Sequence, residues 1–153
     1  MGHQGLLPWT LPDDWANFKT VTKGKVFLMG RKSYESEDYL GSDYKNFILT
    51  RNPKLAMKPN CQPIHSLEAF LTEIQGEDEV FILGGGRVFE QALNMGIVDK
   101  MYLTLVNAKP EGDTFFPELD WTLWQEIETQ YHPIDGQHAH DFHINTYIRK
   151  HKA

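Results

Sequence analysis

Cysteine is nearly absent from this chain: Cys61 stands alone among 153 residues, so no intramolecular disulfide can staple the fold. Long apolar runs are missing too. No stretch of about 18 apolar residues and no secretory apolar segment occurs, which argues against a membrane-spanning helix and makes the cytoplasm the expected compartment. Positive charge is in short supply, with 15 Lys and Arg against 21 Asp and Glu and a net charge of -6. That balance argues against a nucleic-acid or anionic-membrane surface, so any anion must be bound by a local cluster of cations. Internal repeats, linkers and low-complexity stretches are not found.

What is there is an ordinary globular composition, 41% apolar and 24% charged, in a length that suits one domain over 1–153 with a core of normal size. KVFLM (25–29), NFILT (46–50), EVFIL (79–83) and KMYLTLV (100–106) read as strands, several apolar at consecutive positions as a strand covered on both faces would be. Helices are expected over 12–21, near 31–36, over 66–75 from Ser66, and over 87–95. WTLWQEIETQY and HDFHINTYIRK, separated by HPIDGQH, read as a long antiparallel pair. The sum is an α/β sheet with an antiparallel end.

LPWTLPDDWANFK (6–18) writes two aspartates at the start of a helix. Pro12 suits the first turn, where a missing N–H costs nothing, and acidic residues are favourable there because of the exposed donors and the helix dipole. At about 100° per residue, Trp15 and Phe18 share one face, Asp14 flanks it, and Asp13 points with Asn17 to the opposite side. Asp13 is therefore expected to stay in water. For Asp14 two readings stand together: helix-start chemistry, or a carboxylate at a pocket wall beside aromatic surface.

EVFILGGGRVFEQAL (79–93) runs a strand into Gly84, Gly85 and Gly86 and then a helix, where a ligand can approach the backbone and a phosphate can meet unpaired N–H groups. It is not the dinucleotide fingerprint, because Arg87, Val88 and Phe89 follow where another glycine is needed, and a plain turn is the alternative. VFLMGRKSYES (26–36) repeats the logic, with Gly30 before Arg31, Lys32 and Ser33, and NFILTRN ends a strand in Thr50, Arg51 and Asn52. If the strands are parallel neighbours these ends share one sheet edge, where open α/β sheets bind ligands. Arg31, Lys32 and Arg51 would then suit an additional phosphate; scattered surface charge is the alternative.

The ordered series P-W-x-L-P-x-D-x-x-x-F-K (8–19), V-F-L-M-G-R-K-S-Y-E-S (26–36), I-L-T-R-N (48–52), I-L-G-G-G-R-V-F-E-Q (82–91), M-Y-L-T (101–104) and E-G-D-T-x-F-P (111–117) resembles bacterial dihydrofolate reductase over nearly the whole chain. The resemblance implies a central mostly parallel sheet flanked by helices, an antiparallel C-terminal hairpin, and NADPH-dependent reduction of dihydrofolate to tetrahydrofolate. It implies that Asp14 holds the pterin and helps protonate it, with Thr104 bonded to that carboxylate and Trp9 near it through water. Leu7, Trp15, Phe18, Ser36 and Leu83 fall on the substrate side, and Gly5 and Leu6, with Leu7, in the mobile loop over the nicotinamide. Gly30, Arg31, Lys32, Ser33, Thr50, Arg51, Asn52, Gly84, Gly85, Gly86, Arg87, Val88 and Phe89 fall on the NADPH side, with a cis peptide expected between Gly84 and Gly85. Asp113 matches an acid that steadies the mobile loop. Partners implied are dihydrofolate and antifolates, on a monomer, with no nucleic acid or membrane. No metal is required, and His138, His140 and His143, which alternate along a strand or its approach, are not read as a metal site.

Two departures stand out. The family has an apolar strand ahead of the Pro-Trp loop, in the middle of its sheet, whereas this sequence opens at Met1-Gly2-His3 already inside that loop. The expectation is a natural start further upstream; the rival is a strand supplied by a neighbouring molecule or by rearrangement, since a missing interior strand leaves two rows of backbone groups unpaired. At the pocket mouth, Tyr44 beside Lys45 stands where the family typically has an arginine for the folate glutamate, and Gly41 replaces a large apolar residue. Three functional readings are thereby kept: the dihydrofolate reductase, a reductase on the same fold acting on another pterin or a pyrimidine intermediate, and an inactive nucleotide-binding domain. A bidentate arginine–carboxylate contact contributes about 1.5 to 3 kcal/mol. Tyr44→Arg is therefore expected to lower the Michaelis constant for dihydrofolate, read from initial rates of NADPH oxidation.

Overall fold

The computed structural model describes residues 11–37, 39–108 and 117–150. At its centre lies β1 (Val26–Gly30), whose side chains alternate between two apolar clusters. Val26 and Leu28 join Phe47, Leu67, Phe70, Val88 and Ala92 on one side, while Phe27 and Met29 join Tyr34 and Ile48 on the other. A strand with helices on both faces must be apolar at consecutive positions, which explains the VFLM run.

Parallel neighbours flank β1. On one side is β2 (Lys45–Leu49), with β3 (Cys61–Ile64) beyond it, and on the other is β4 (Val80–Ile82). The crossovers carry α2 (Arg31–Glu35), α3 (Leu67–Glu73) and α4 (Gly86–Asn94), and α1 (Pro12–Thr22) precedes β1. Ser66 caps α3, its hydroxyl accepting from the Ala69 N–H at 3.0 Å. Strand β3 has no counterpart in the sequence reading, because CQPI holds a proline and little alternation; Pro63 is tolerated there because β3 is an edge strand.

The chain then builds an antiparallel sheet in the order β5 (Lys100–Val106), β7 (Phe142–Arg149), β6 (Trp124–His132). A third cluster of Leu11, Phe142 and Ile144 covers one of its faces. The expected single central sheet is thus divided, parallel up to β4 and antiparallel from β5, and among the described residues no strand lies between them. The Phe81 ring of β4 and the Tyr102 ring of β5 approach to 6.0 Å across this seam. All three β4 residues are only partly buried, as suits a strand paired on one side. Among the described residues no helix is long and apolar enough to cross a membrane.

The C-terminal ends of β1, β2 and β4 share one edge, tied by the Gly30 N–H donating to the Gly84 carbonyl at 2.8 Å and the Thr50 N–H donating to the Ile64 carbonyl at 3.0 Å. The segment leading into β2 is shaped by Asn46, fully buried at 0% exposure. Its Oδ1 accepts from the Ser42 N–H at 2.8 Å, and its Nδ2 donates to the carbonyls of Ser42 at 2.9 Å and Asn60 at 3.2 Å. Asn46→Ala leaves these groups without a partner and is expected to cost about 1 to 3 kcal/mol, seen as a lower denaturant midpoint at unchanged m-value.

Candidate active site

Asp14 sits in the first turn of α1, and across from it Thr104 projects from β5. The Thr104 hydroxyl donates to Asp14 Oδ1 at 2.7 Å. Burial pushes the Asp14 carboxyl above its ordinary 3.8, and the Thr104 bond partly opposes that rise. The sign for stability follows. A carboxyl raised by folding stabilises fully below 3.8, and that contribution is lost as pH rises through the raised value. At neutral pH the partly buried charge therefore works against folding.

Trp15 is half-buried beside Asp14. Phe18 packs on Phe27 at 5.9 Å, and Leu83 joins the same cluster, so two of the expected substrate-side residues meet on one apolar wall. Ser36 ends α2 as its C-terminal cap residue. Gly41 has a local cause: a Cβ there would lie 2.2 Å from the Tyr39 hydroxyl oxygen. Tyr44 is half-exposed, its hydroxyl donating to Glu77 Oε1 at 3.1 Å, while Lys45 Nζ stands 5.5 Å from the Tyr44 ring centre.

The glycine junctions meet as the sequence reading expects, and the Gly84–Gly85 peptide is cis. Gly84 has φ +124, open to glycine, and a Cβ at Gly30 would approach Val88 Cγ2 to 3.1 Å. The Ser33 hydroxyl lies 3.7 Å from where a Cβ on Gly84 or Gly85 would stand. Beside it the N-terminus of α4 opens, with Gly85 as cap residue and no side-chain cap. Backbone stripped of side chains, a hydroxyl and unpaired N–H groups together fit a pyrophosphate. Val88 is turned into the core cluster, so its contribution to any ligand is its backbone N–H.

At the ends of β2 and β3 an open cleft of about 550 Å³ is lined by Thr50, Arg51, His65, Ser66, Glu68 and Gln91, among others. Thr50 Oγ1 accepts from the Asn52 N–H at 3.1 Å and Asn52 Oδ1 accepts from the Lys54 N–H at 3.1 Å, a turn that leaves Arg51 exposed. Arg31 and Lys32 are exposed at the start of α2, and Arg31 pairs with Glu35 at 3.5 Å. The sequence reading places Ser66 only as a helix start and does not place His65, Ser66 or Gln91 on this cleft, since the unrecognised β3 hid the edge on which His65 and Ser66 stand.

The grouping of histidines is corrected. His138 is buried not with His140 and His143 but against His132, the ring centres 4.3 Å apart, and His143 lies on Tyr131 at 4.9 Å. Asp13 is exposed, as expected, and its Oδ2 also accepts from His132 Nε2 at 2.6 Å. Asp13, His132, Asp135 and His138 bring ligand-type atoms within 4.8 Å of one another. His132 Nδ1 also meets the Pro133 carbonyl, Asp135 Oδ1 also accepts from the Gln137 N–H, and both ring nitrogens of His138 are engaged. Gly5, Leu6, Leu7, Trp9 and Asp113 lie outside the described residues.

With this geometry in place, comparison with known proteins is specific. The family model described as "Dihydrofolate reductase" matches residues 1–149. The chain is 34% identical over 149 residues to the dihydrofolate reductase of Staphylococcus haemolyticus, covering 97% of this chain and 88% of that one. It is 35% identical over 150 residues to the type 3 dihydrofolate reductase of Salmonella typhimurium, covering 98% and 91%. A solved dihydrofolate reductase from Enterococcus faecalis, complexed with NADP(H) and RAB-propyl, superposes with a TM-score of 0.88 at 30% identity, covering 99% of this chain and 89% of that one.

Thr104→Val deletes the donor to Asp14. The Asp14 pKa is expected to rise further above its present value, measured by carboxyl carbon shifts in a pH titration; an unchanged titration would detach Thr104 from the electrostatics of the site.

Proposed function

The chain belongs to the dihydrofolate reductase family, and from that premise we propose that Asp14 anchors the pterin of 7,8-dihydrofolate while NADPH lies along the edge formed by β1, β2 and β4. The reaction is the NADPH-dependent reduction of dihydrofolate to tetrahydrofolate. NADPH supplies the hydride. The observation that carries the reading is the Asp14 carboxylate, partly buried and held at 2.7 Å by the Thr104 hydroxyl.

A carboxylate there accepts hydrogen bonds from the 2-amino group and N3–H of a pterin, or from the diaminopyrimidine of an antifolate, and fixes the ring edge-on. Burial raises its pKa, so Asp14 holds a proton more readily than an exposed aspartate would, near the imine that receives hydride. The bond from Thr104 to Oδ1 fixes the orientation of the carboxylate towards the ring. Phe18 and Leu83 supply an apolar wall that keeps water from the reacting face.

On the cofactor side, Gly84, Gly85, Ser33 and the first N–H groups of α4 are assigned to the pyrophosphate. The cleft holding Arg51, His65 and Ser66 is assigned to the adenosine and its 2'-phosphate, which a guanidinium binds by paired hydrogen bonds. A monomer working in the cytoplasm accords with the lone Cys61 and the net charge of -6.

Asp14→Asn is expected to lower kcat/KM for dihydrofolate at pH 7 by roughly 100-fold or more while the Michaelis constant for NADPH holds. The same variant is expected to be more stable than the parent at pH 7, an advantage that vanishes below 3.8, where the parent carboxyl is neutral in both states. Undiminished turnover in this variant would remove Asp14 from the mechanism.

A further inference from the structure

Helix α1 has no cap of its own: Leu11 stands at the cap position without a side-chain hydrogen bond, and Pro12 has no N–H to give. The Asp13 N–H would be left without a partner. It donates instead to His138 Nε2 at 3.1 Å, from a residue 125 positions away. The Asp13 side chain is held from the same direction, by His132 Nε2 at 2.6 Å. One residue of the helix is therefore gripped by backbone and side chain together, immediately before Asp14.

The two rings have different protonation. His132 has Nδ1 at 2.7 Å from the Pro133 carbonyl and Nε2 on the Asp13 carboxylate; both neighbours only accept, so both nitrogens donate and the ring is an imidazolium. His138 takes the Asp13 N–H at Nε2 and donates from Nδ1 to Asp135 Oδ1 at 2.7 Å, so its single proton is on Nδ1. The pair rests on the core. His132 stacks on Phe142 at 4.7 Å with the planes 5° apart, and Phe142 packs in the cluster that holds Leu11.

We propose that His132 and His138 are positioning residues for the reductase, the β6–β7 hairpin capping and clamping Asp13 so that α1 presents the Asp14 carboxylate in one place. The proposal rests on the assignment of Asp14 as the pterin anchor. The groups facing His132 are Asp13 from α1, Asp135 and His138 from the turn after β6, and the uncharged Phe142 from β7. The hydrogen bond to Asp13 is the main cause that raises the His132 pKa above 6.5. The side-chain half of the clamp is thus fully present below 6.5 and is lost as pH rises through the raised value, whereas the His138 half is a bond accepted from a backbone N–H.

The test compares His138→Ala, His132→Ala, His132→Gln and Asp14→Asn with the parent for kcat and both Michaelis constants from pH 5.5 to 9, and for backbone amide exchange at Asp13. His138→Ala is expected to lower kcat/KM for dihydrofolate by about ten- to a hundredfold with the NADPH constant unchanged, since a small misplacement of a reacting group has that cost. Its Asp13 amide should exchange at least about tenfold faster while those of β1 hold. His132→Ala should lose activity at the acid end, and His132→Gln, which still donates to Asp13 but does not titrate, should restore it and flatten the profile. Parent-like dihydrofolate kinetics in both alanine variants, or equal losses on the dihydrofolate and NADPH sides, would overturn the proposal. So would a parent rate abolished by EDTA and restored by Zn²⁺, because the cluster would then hold a metal rather than protons. If Asp14→Asn keeps its turnover, the anchor assignment fails by itself, and the clamp is then decided by the Asp13 amide alone.

Discussion

Helix α1 is fastened to both sheets, from just before its start and from its middle. Leu11, just before it, is buried with Phe142 and Ile144 of the antiparallel sheet, and Phe18 packs on Phe27 of the parallel one. Between those anchors Asp14 meets Thr104 of β5. The helix thereby spans the seam where hydrogen-bonded pairing between β4 and β5 is absent, and any change in the spacing of the sheets moves the carboxylate. Apolar contacts set the coarse position, at roughly 1.5 to 3 kcal/mol for each fully buried side chain, and directional bonds at Asp13 and Asp14 set the fine one.

The cofactor side is built differently. It relies on the absence of side chains at Gly30, Gly84 and Gly85, and on cations carried by turns rather than buried in the core. Exposed pairs such as Arg31 with Glu35 contribute little to stability, so these residues stay available to an anion. Net charge says nothing of this: a chain at -6 still gathers Arg31, Lys32 and Arg51 near the ends of two neighbouring strands. The apolar clusters that hold the fold and the cations proposed to bind an anion thus lie in separate layers of the molecule.

Much of this was legible before any coordinate. The consecutive apolar residues of VFLM and NFIL announced strands covered on both faces, and Pro12 and Ser66 announced helix starts, because these signals are written in residues a few positions apart. CQPI was not legible as a strand, since an edge position that tolerates proline is a property of the sheet and not of the segment. Asp13 shows the same limit. Its helical angle points it away from Trp15, but nothing local says that His132 waits there, 119 residues later.

Sequence by itself determined the elements, the charge balance and the resemblance, because periodicity, turn chemistry and motif order are all carried by near neighbours along the chain. Tertiary structure alone decided that the sheet is split at β4 and β5, that Thr104 meets Asp14, and that two histidines of the last hairpin hold the helix that bears it. Such contacts are set by how sheets pack and where a turn comes to rest, so their partners share no pattern in sequence and become neighbours only when the core closes.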